Sequence, residues 1–206
     1  MIKTRQAIAS ALAPAGLVAT ALLAAPAFAQ DLSGVPSGTY QVDPTHAYID
    51  FTYSHLGLSN PTLSFDDFDA TLELDAEDPT KSTVSVTIDP ASVVAGSDIW
   101  HEHLTGADFF DVANNPEITF ESTSVSGGGD GAYKVDGDLT IKGQTQPVTL
   151  NVTINAAMNH PMSGDPVVGL DASGEILRSD FGMGKFAPNV SDEVALDITA
   201  EMVKAK

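Results

Sequence analysis

From residue 38 onward, apolar and polar residues alternate with a period of two, and that period belongs to β-strands with one buried face. The clearest stretch runs from Tyr133 to Ile141. Tyr133, Val135, Leu139 and Ile141 fall on one side; Lys134, Asp136, Asp138 and Thr140 fall on the other. The next stretch repeats it, with Val148, Leu150, Val152 and Ile154 set against Thr149, Asn151, Thr153 and Asn155. Lys142-Gly143-Gln144-Thr145 lies between them as a turn, so the pair reads as a hairpin.

The same alternation sets Ile49, Phe51 and Tyr53 against Asp50 and Thr52. It sets Leu72 and Leu74 against Thr71 and Glu73, and Val84, Val86 and Ile88 against Ser85 and Thr87. Near the end, Val194, Leu196, Ile198 and Met202 oppose Asp197, Thr199 and Glu201. Further strands are expected near Tyr40–Asp43, Ile118–Val125 and Val167–Arg178. The total is eight or nine, separated by turn signals at Pro79, Pro90, Gly127-Gly128-Gly129 and Pro161.

One segment departs from the pattern. Between Ser97 and Asn115, the residues Ile99, His103, Leu104, Ala107, Phe110 and Asp111 recur at spacings of three to four. This predicts one helix or two short turns. Ser97 or Asp98 is placed to cap it, and Pro116 follows its end.

Many antiparallel strands with one apolar face each need a shared interior, which a sandwich or a closed barrel supplies. An eight-stranded barrel encloses either a solid core or room for one ligand. Alternation alone leaves both open.

The first 29 residues carry Lys3 and Arg5, an apolar run from about Ala11 to Pro26, and Ala27-Phe28-Ala29. That order is a secretory signal peptide, with export and cleavage expected after Ala29. The apolar run is broken by Pro14, Gly16 and Pro26 and is short for a ~30 Å hydrocarbon core. No later segment is apolar enough to span one, so no stable membrane insertion is expected after cleavage. Residues 30–206 then form one domain, with seven cations against 28 acids. Such a surface repels nucleic acid and anionic headgroups. The absence of cysteine excludes disulfides and thiolate chemistry.

The residues that invite chemical readings are few. His101-x-His103 with Glu102 between them suggests a metal. Two histidines at i and i+2 share a face on a strand but not on the helix expected here. His46, beside Asp43 and Pro44, and His55 read as hydrogen-bonded structural residues. Asp66, Asp67 and Asp69 lack the spacing of an EF-hand loop, and Gly127 to Gly131 reads as a hairpin tip, not a phosphate loop. No G-x-S-x-G elbow is present. Arg178 stands apart. By parity it follows Leu170, Ala172, Gly174 and Ile176 onto the apolar side. A buried guanidinium needs partners: either an ion pair with an acid such as Asp180 or Asp108, or a ligand headgroup.

Taken in order, five blocks resemble the YceI-like family of lipocalin-like bacterial proteins. Tyr40-Gln-Val-Asp43-Pro-Thr-His46 leads into Ile49-Asp-Phe51 and His55-Leu-Gly57. Then follow His103-Leu-Thr-Gly-Ala-Asp108-Phe109-Phe110-Asp111-Val112, Pro116-Glu-Ile-Thr-Phe120-Glu-Ser122, Gly137-Asp-Leu139-Thr-Ile141-Lys-Gly143 and Arg178-Ser-Asp180-Phe181-Gly182-Met183. The resemblance spans about residues 38–203. It departs before His103-Leu104, where the family often carries Arg-Asp and this chain has Ile99-Trp100-His101-Glu102.

The resemblance implies an all-β, eight-stranded antiparallel lipocalin-like barrel with one short helical segment. It implies a periplasmic, non-enzymatic carrier or scavenger that holds a polyisoprenoid or quinone-like lipid in a tunnel, with no other cofactor. The lining expected from the alternation is Ile49, Phe51 and Tyr53; Leu72 and Leu74; Val84 and Val86; Phe120; Leu139 and Ile141; Leu150 and Val152; Ile176 with Arg178; and Leu196 and Ile198. Phe109 and Phe110 join them from the helical segment. Two other readings stand beside it: a metal-dependent periplasmic enzyme using His101, Glu102 and His103, and a partner-binding protein delivering lipid to a membrane redox complex. A monomer or a homodimer is compatible with either.

Overall fold

The computed structural model describes residues 32–206; the expected export signal lies outside them. Ten strands and one helix follow in order: β1 (Gly38–His55), β2 (Thr62–Phe65), β3 (Phe68–Leu74), β4 (Thr83–Ile88), β5 (Val93–Val94), α1 (Asp98–Thr105), β6 (Ile118–Gly127), β7 (Ala132–Ile141), β8 (Gln144–Asn159), β9 (Pro166–Leu177) and β10 (Val190–Lys204). All pairings are antiparallel.

Eight of these strands close a barrel in the order β1-β3-β4-β6-β7-β8-β9-β10, with β10 returning to β1. The closing seam pairs Tyr40 with Lys204 and runs to His55 opposite Val190. The strands expected at 40–43 and 49–53 are one element. Asp43-Pro-Thr-His46 bulges out of β1 between Val42 and Ala47, and the ladder with β10 resumes beyond it. The first part of β1 pairs with β3 and the second with β2, which in turn carries β5. These two short strands raise the count to ten without adding to the closed ring.

Turn chemistry agrees with the hairpins. Lys142 (φ 51°) and Gly143 (φ 70°) both adopt left-handed backbone between the paired Ile141 and Gln144. That is the two-residue turn whose twist matches antiparallel strands. The Gly127–Gly131 stretch forms the β6–β7 tip, as its composition suggests.

β8, β9 and β10 run 16, 12 and 15 residues, roughly 40–50 Å of strand at ~3.3 Å per residue. Tilted as barrel closure requires, they make a wall roughly 30–40 Å tall. One end is plugged by the chain before β1: Leu32 and Val35 pack with Tyr40, Ala47, Ile154 and Val168. Tyr40 is fully buried, and its hydroxyl donates to the Pro36 carbonyl at 2.6 Å. At the other end α1 begins at Ser97, whose hydroxyl accepts from Trp100 N–H. The helix is shorter than the 97–115 window: it stops at Gly106, and turns carry the chain to Pro116. Leu104 and Phe110 point from this segment onto Phe51 and Phe65, with Phe65 and Phe110 rings 5.6 Å apart.

Candidate functional site

Inward-facing residues on the plugged and helical layers are buried, but a middle set is not. Tyr53, Val84, Val86, Leu150, Val152, Leu196 and Ile198 share the inward parity and are only half-buried, because they face an open lumen and not one another. The space is a single cavity of about 630 Å³, inside the ~300–1,000 Å³ range of small-molecule sites. It runs from Leu32 and Leu74 near the plug to Trp100, Phe109, Leu56 and Phe186 at the far end. All eighteen residues named from the alternation and the resemblance line this one cavity.

Other lining residues follow the same parity and were within reach of it: Val42, Tyr133, Val135, Ile154 and Val194. Leu56, Trp100, Phe186 and Asn189 were not, because they stand on turns and on the helix, where no period marks a direction. Two glycines shape the wall. A Cβ on Gly137 would stand 2.3 Å from the Phe120 Cζ, and one on Gly174 would stand 2.8 Å from Leu150 Cδ2. At these points a large side chain of the neighbouring strand fills the space that a Cβ would need.

Several polar groups stand at the mouth, while Ser82 and Tyr133 line the plugged end. Arg178, the only arginine in residues 30–206, is buried at 6% exposure and borders the cavity. The expected ion pair with Asp180 or Asp108 is absent. The guanidinium donates instead to four backbone carbonyls: Ser191 at 2.7 Å, Lys185 at 2.7 Å, Val190 at 2.8 Å, and Met183. Asp108 is taken by Lys185, and Asp180 offers its backbone carbonyl to Gln146. A planar five-donor fork suits this task, since it can satisfy several carbonyls of one loop at once. Burial pushes the Arg178 pKa down and the nearby Asp192 opposes this. Burial likewise raises the Tyr53 phenol, against a hydrogen bond with Trp100 and the charge of Arg178. Tyr53, Trp100 and Arg178 thus present a polar corner to an otherwise hydrocarbon lumen. Among the described residues no buried side-chain polar atom lacks a partner.

The histidines divide as their elements dictate. His101 and His103 are on α1, two positions apart and so on different faces. His101 Nε2 lies 3.0 Å from the Ala91 carbonyl, and the His103 ring packs 5.9 Å from Trp100. Among the described residues the one His/acid group close enough to share an ion is Asp43, His46 and Glu201. There the His46 Nδ1 already stands 3.0 Å from Asp43 Oδ2, within the bulge of β1, which gives the trio a structural task.

The fold and the site define a class: small closed antiparallel barrels with a continuous apolar lumen and one open mouth. A model of the YceI-like domain matches residues 40–202, and the chain belongs to that family. A UPF0312 protein of Serratia proteamaculans (strain 568) is 40% identical over 169 residues, covering 81% of this chain and 87% of that one. One from Yersinia pestis (strain Pestoides F) is 38% identical over the same length. Among solved structures, Burkholderia cenocepacia BcnA matches with a TM-score of 0.70 at 27% identity, covering 80% of this chain and 99% of that one. A YCEI protein of Campylobacter jejuni gives 0.68 at 28%, covering 74% and 90%. A polyisoprenoid binding domain from Saccharophagus degradans gives 0.62 at 14% identity, covering 82% and 100%, a likeness of fold.

Proposed function

We propose that this protein binds a long-chain apolar lipid, polyisoprenoid or quinone-like, in its lumen, and that it works in the periplasm as a carrier or scavenger without catalysing a reaction. The observation that carries the reading is the cavity: about 630 Å³ lined almost wholly by hydrocarbon, with Tyr53, Trp100 and Arg178 at its mouth. An isoprenoid chain offers no hydrogen bonds, so an apolar tube satisfies it along its whole length. At ~0.8 kcal/mol per buried CH₂, about fifteen carbons contribute on the order of 12 kcal/mol before the cost of association, which is at least ~4 kcal/mol. Tyr53, Trp100 and Arg178 would meet the head of such a lipid. The structural neighbour that binds polyisoprenoid and the signal-like N-terminus support the ligand class and the location.

The test is native mass spectrometry of protein purified from a bacterial periplasm, followed by organic extraction. A stoichiometric adduct that extracts as a long-chain lipid is the expected result. An unliganded mass that stays unchanged after incubation with quinones and polyprenols would overturn the reading.

A further inference from the structure

The mouth of the barrel carries apolar side chains that nothing in the fold covers. Leu58 is 82% exposed, Ile99 72%, Phe186 57% and Leu56 54%. They come from three separate segments. Leu56 and Leu58 are on the β1–β2 turn, Ile99 is on α1, and Phe186 is on the loop before β10. The segments are tied together: Leu56 N–H donates to the Asn189 carbonyl at 2.8 Å, and Phe186 stacks toward Phe109 with ring centres 6.5 Å apart. Leu56 and Phe186 also line the cavity, so rim and lumen form one continuous apolar surface.

Acids stand at both ends of the barrel, Asp108, Asp111, Asp180 and Asp192 among them at the mouth, but not in every loop. The turns at the plugged end carry Asp75, Glu77, Asp78, Asp130 and Asp165. At the mouth, residues 51–65 and 181–191 contain no acid, nor does the Lys142-Gly143 turn. In a chain with 28 acids, the loops that carry the exposed apolar groups are spared them. Three of the seven cations of residues 30–206 stand here: Arg178 beneath the loop, Lys142, which donates to the Ala107 carbonyl, and Lys185, which pairs with Asp108 and lies over the Phe186 ring. The acids of α1, Asp98 and Glu102, flank this surface.

We infer that the rim docks on the face of a phospholipid bilayer, with Leu56, Leu58, Ile99 and Phe186 entering the boundary between headgroups and acyl chains. The inference rests on the lipid-binding reading above. A ligand that dissolves in membranes and not in water reaches the lumen without crossing water only if the mouth itself meets the bilayer. Acid-free loops with an aromatic beside a lysine suit that boundary, where apolar insertion and headgroup contact act together. Four partly exposed side chains give a reversible contact, as a carrier that must leave again requires.

Trp100 is the only tryptophan in the chain and lies at the mouth, so its fluorescence reports the contact. The full chain without its first 29 residues is mixed with phosphatidylcholine vesicles whose acyl chains carry bromine, and flotation is measured in parallel. The expected result is quenching of Trp100 and co-flotation, both reduced at least tenfold by Leu58→Asp with Ile99→Asp. These two residues are outside the cavity lining. Transfer of a fluorescent polyprenol between vesicles should then rise with acceptor vesicle concentration for the unaltered protein and not for the variant. Binding of a fluorescent fatty acid in vesicle-free buffer tests the lumen separately. If that binding persists while vesicles neither float nor quench the protein, docking is overturned and the lipid reading stands. Quenching that survives both substitutions would also overturn docking, since lipid then reaches Trp100 by another route. A dimer that Leu58→Asp dissolves, with no vesicle contact, would assign the rim to a second copy and overturn the bilayer as its occupant. Loss of fatty-acid binding in the unaltered protein would remove the lipid reading itself.

Discussion

The Phe120 ring reaches across the β6–β7 ladder to Gly137, where a Cβ would stand 2.3 Å from its Cζ and 2.7 Å from the Glu121 carbonyl. The ring can swing into the open lumen, but the carbonyl belongs to the paired strand and cannot. Gly137→Ala should therefore destabilise the barrel by about 1–3 kcal/mol, the usual cost of overpacking. Urea unfolding checks this, and a midpoint within error of the parent would contradict it.

Arg178 holds the loop from Met183 to Ser191 by its backbone. Lysine keeps the charge but cannot reach four carbonyls, so Arg178→Lys should cost about 3 kcal/mol from acceptors left unsatisfied. Hydrogen exchange should quicken across residues 183–191 and leave the β7–β8 hairpin unchanged. An effect confined to ligand affinity would instead make Arg178 a headgroup contact only.

The lumen can be filled. Val152 faces it and is half-buried, so Val152→Trp places an indole where ligand carbons would lie. Affinity for a fluorescent fatty acid should fall at least tenfold, with the unfolding midpoint nearly unchanged. Equal binding by parent and variant would place the ligand elsewhere.

The bulge in β1 predicts a bell-shaped pH dependence of stability. Hydrogen bonds from Thr45 and His46 hold the Asp43 carboxyl at about 2, below its ordinary 3.8. Its contribution is present above pH ~4 and fades as pH falls toward 2. His46 moves the other way, raised by its bond to Asp43 and then by the charge of Glu201. Its contribution is complete below its ordinary 6.5 and fades as pH rises through the folded value. His46 is exposed and Asp43 lies half-buried at the surface, so solvent screening keeps the effect small. Denaturant midpoints measured from pH 2 to 9 should lose the acid limb in Asp43→Asn and the neutral limb in His46→Asn.

The β7–β8 hairpin was legible because an antiparallel sheet with one wet face writes its parity into every residue. The same parity carried Arg178 inward. What it could not supply was Arg178's partners, since backbone carbonyls of an irregular loop leave no mark in residue types. It also made β1 look like two strands, because the Asp43–His46 bulge interrupts the alternation while the ladder continues past it. Ser97 announced α1, but its stop at Gly106, where extended backbone turns the N–H onto the His103 carbonyl, had no periodic signal. Leu56 and Phe186 have positive φ (57° and 71°) on turns without a period, and their place at the rim follows only from the closed barrel.

The seam that joins β1 to β10 pairs Tyr40 with Lys204, nearly the whole described chain apart. No lumen exists until β10 arrives, so the barrel stays unsealed until that strand has paired with β1. Contacts this remote in sequence form late and slowly. A chain cut between Leu177 and Val190 would leave β1 and β9 as two open edges, prone to pair with other chains. The integrity of the lumen is thus decided at the fifteen residues of β10, the last strand of the ring to join it.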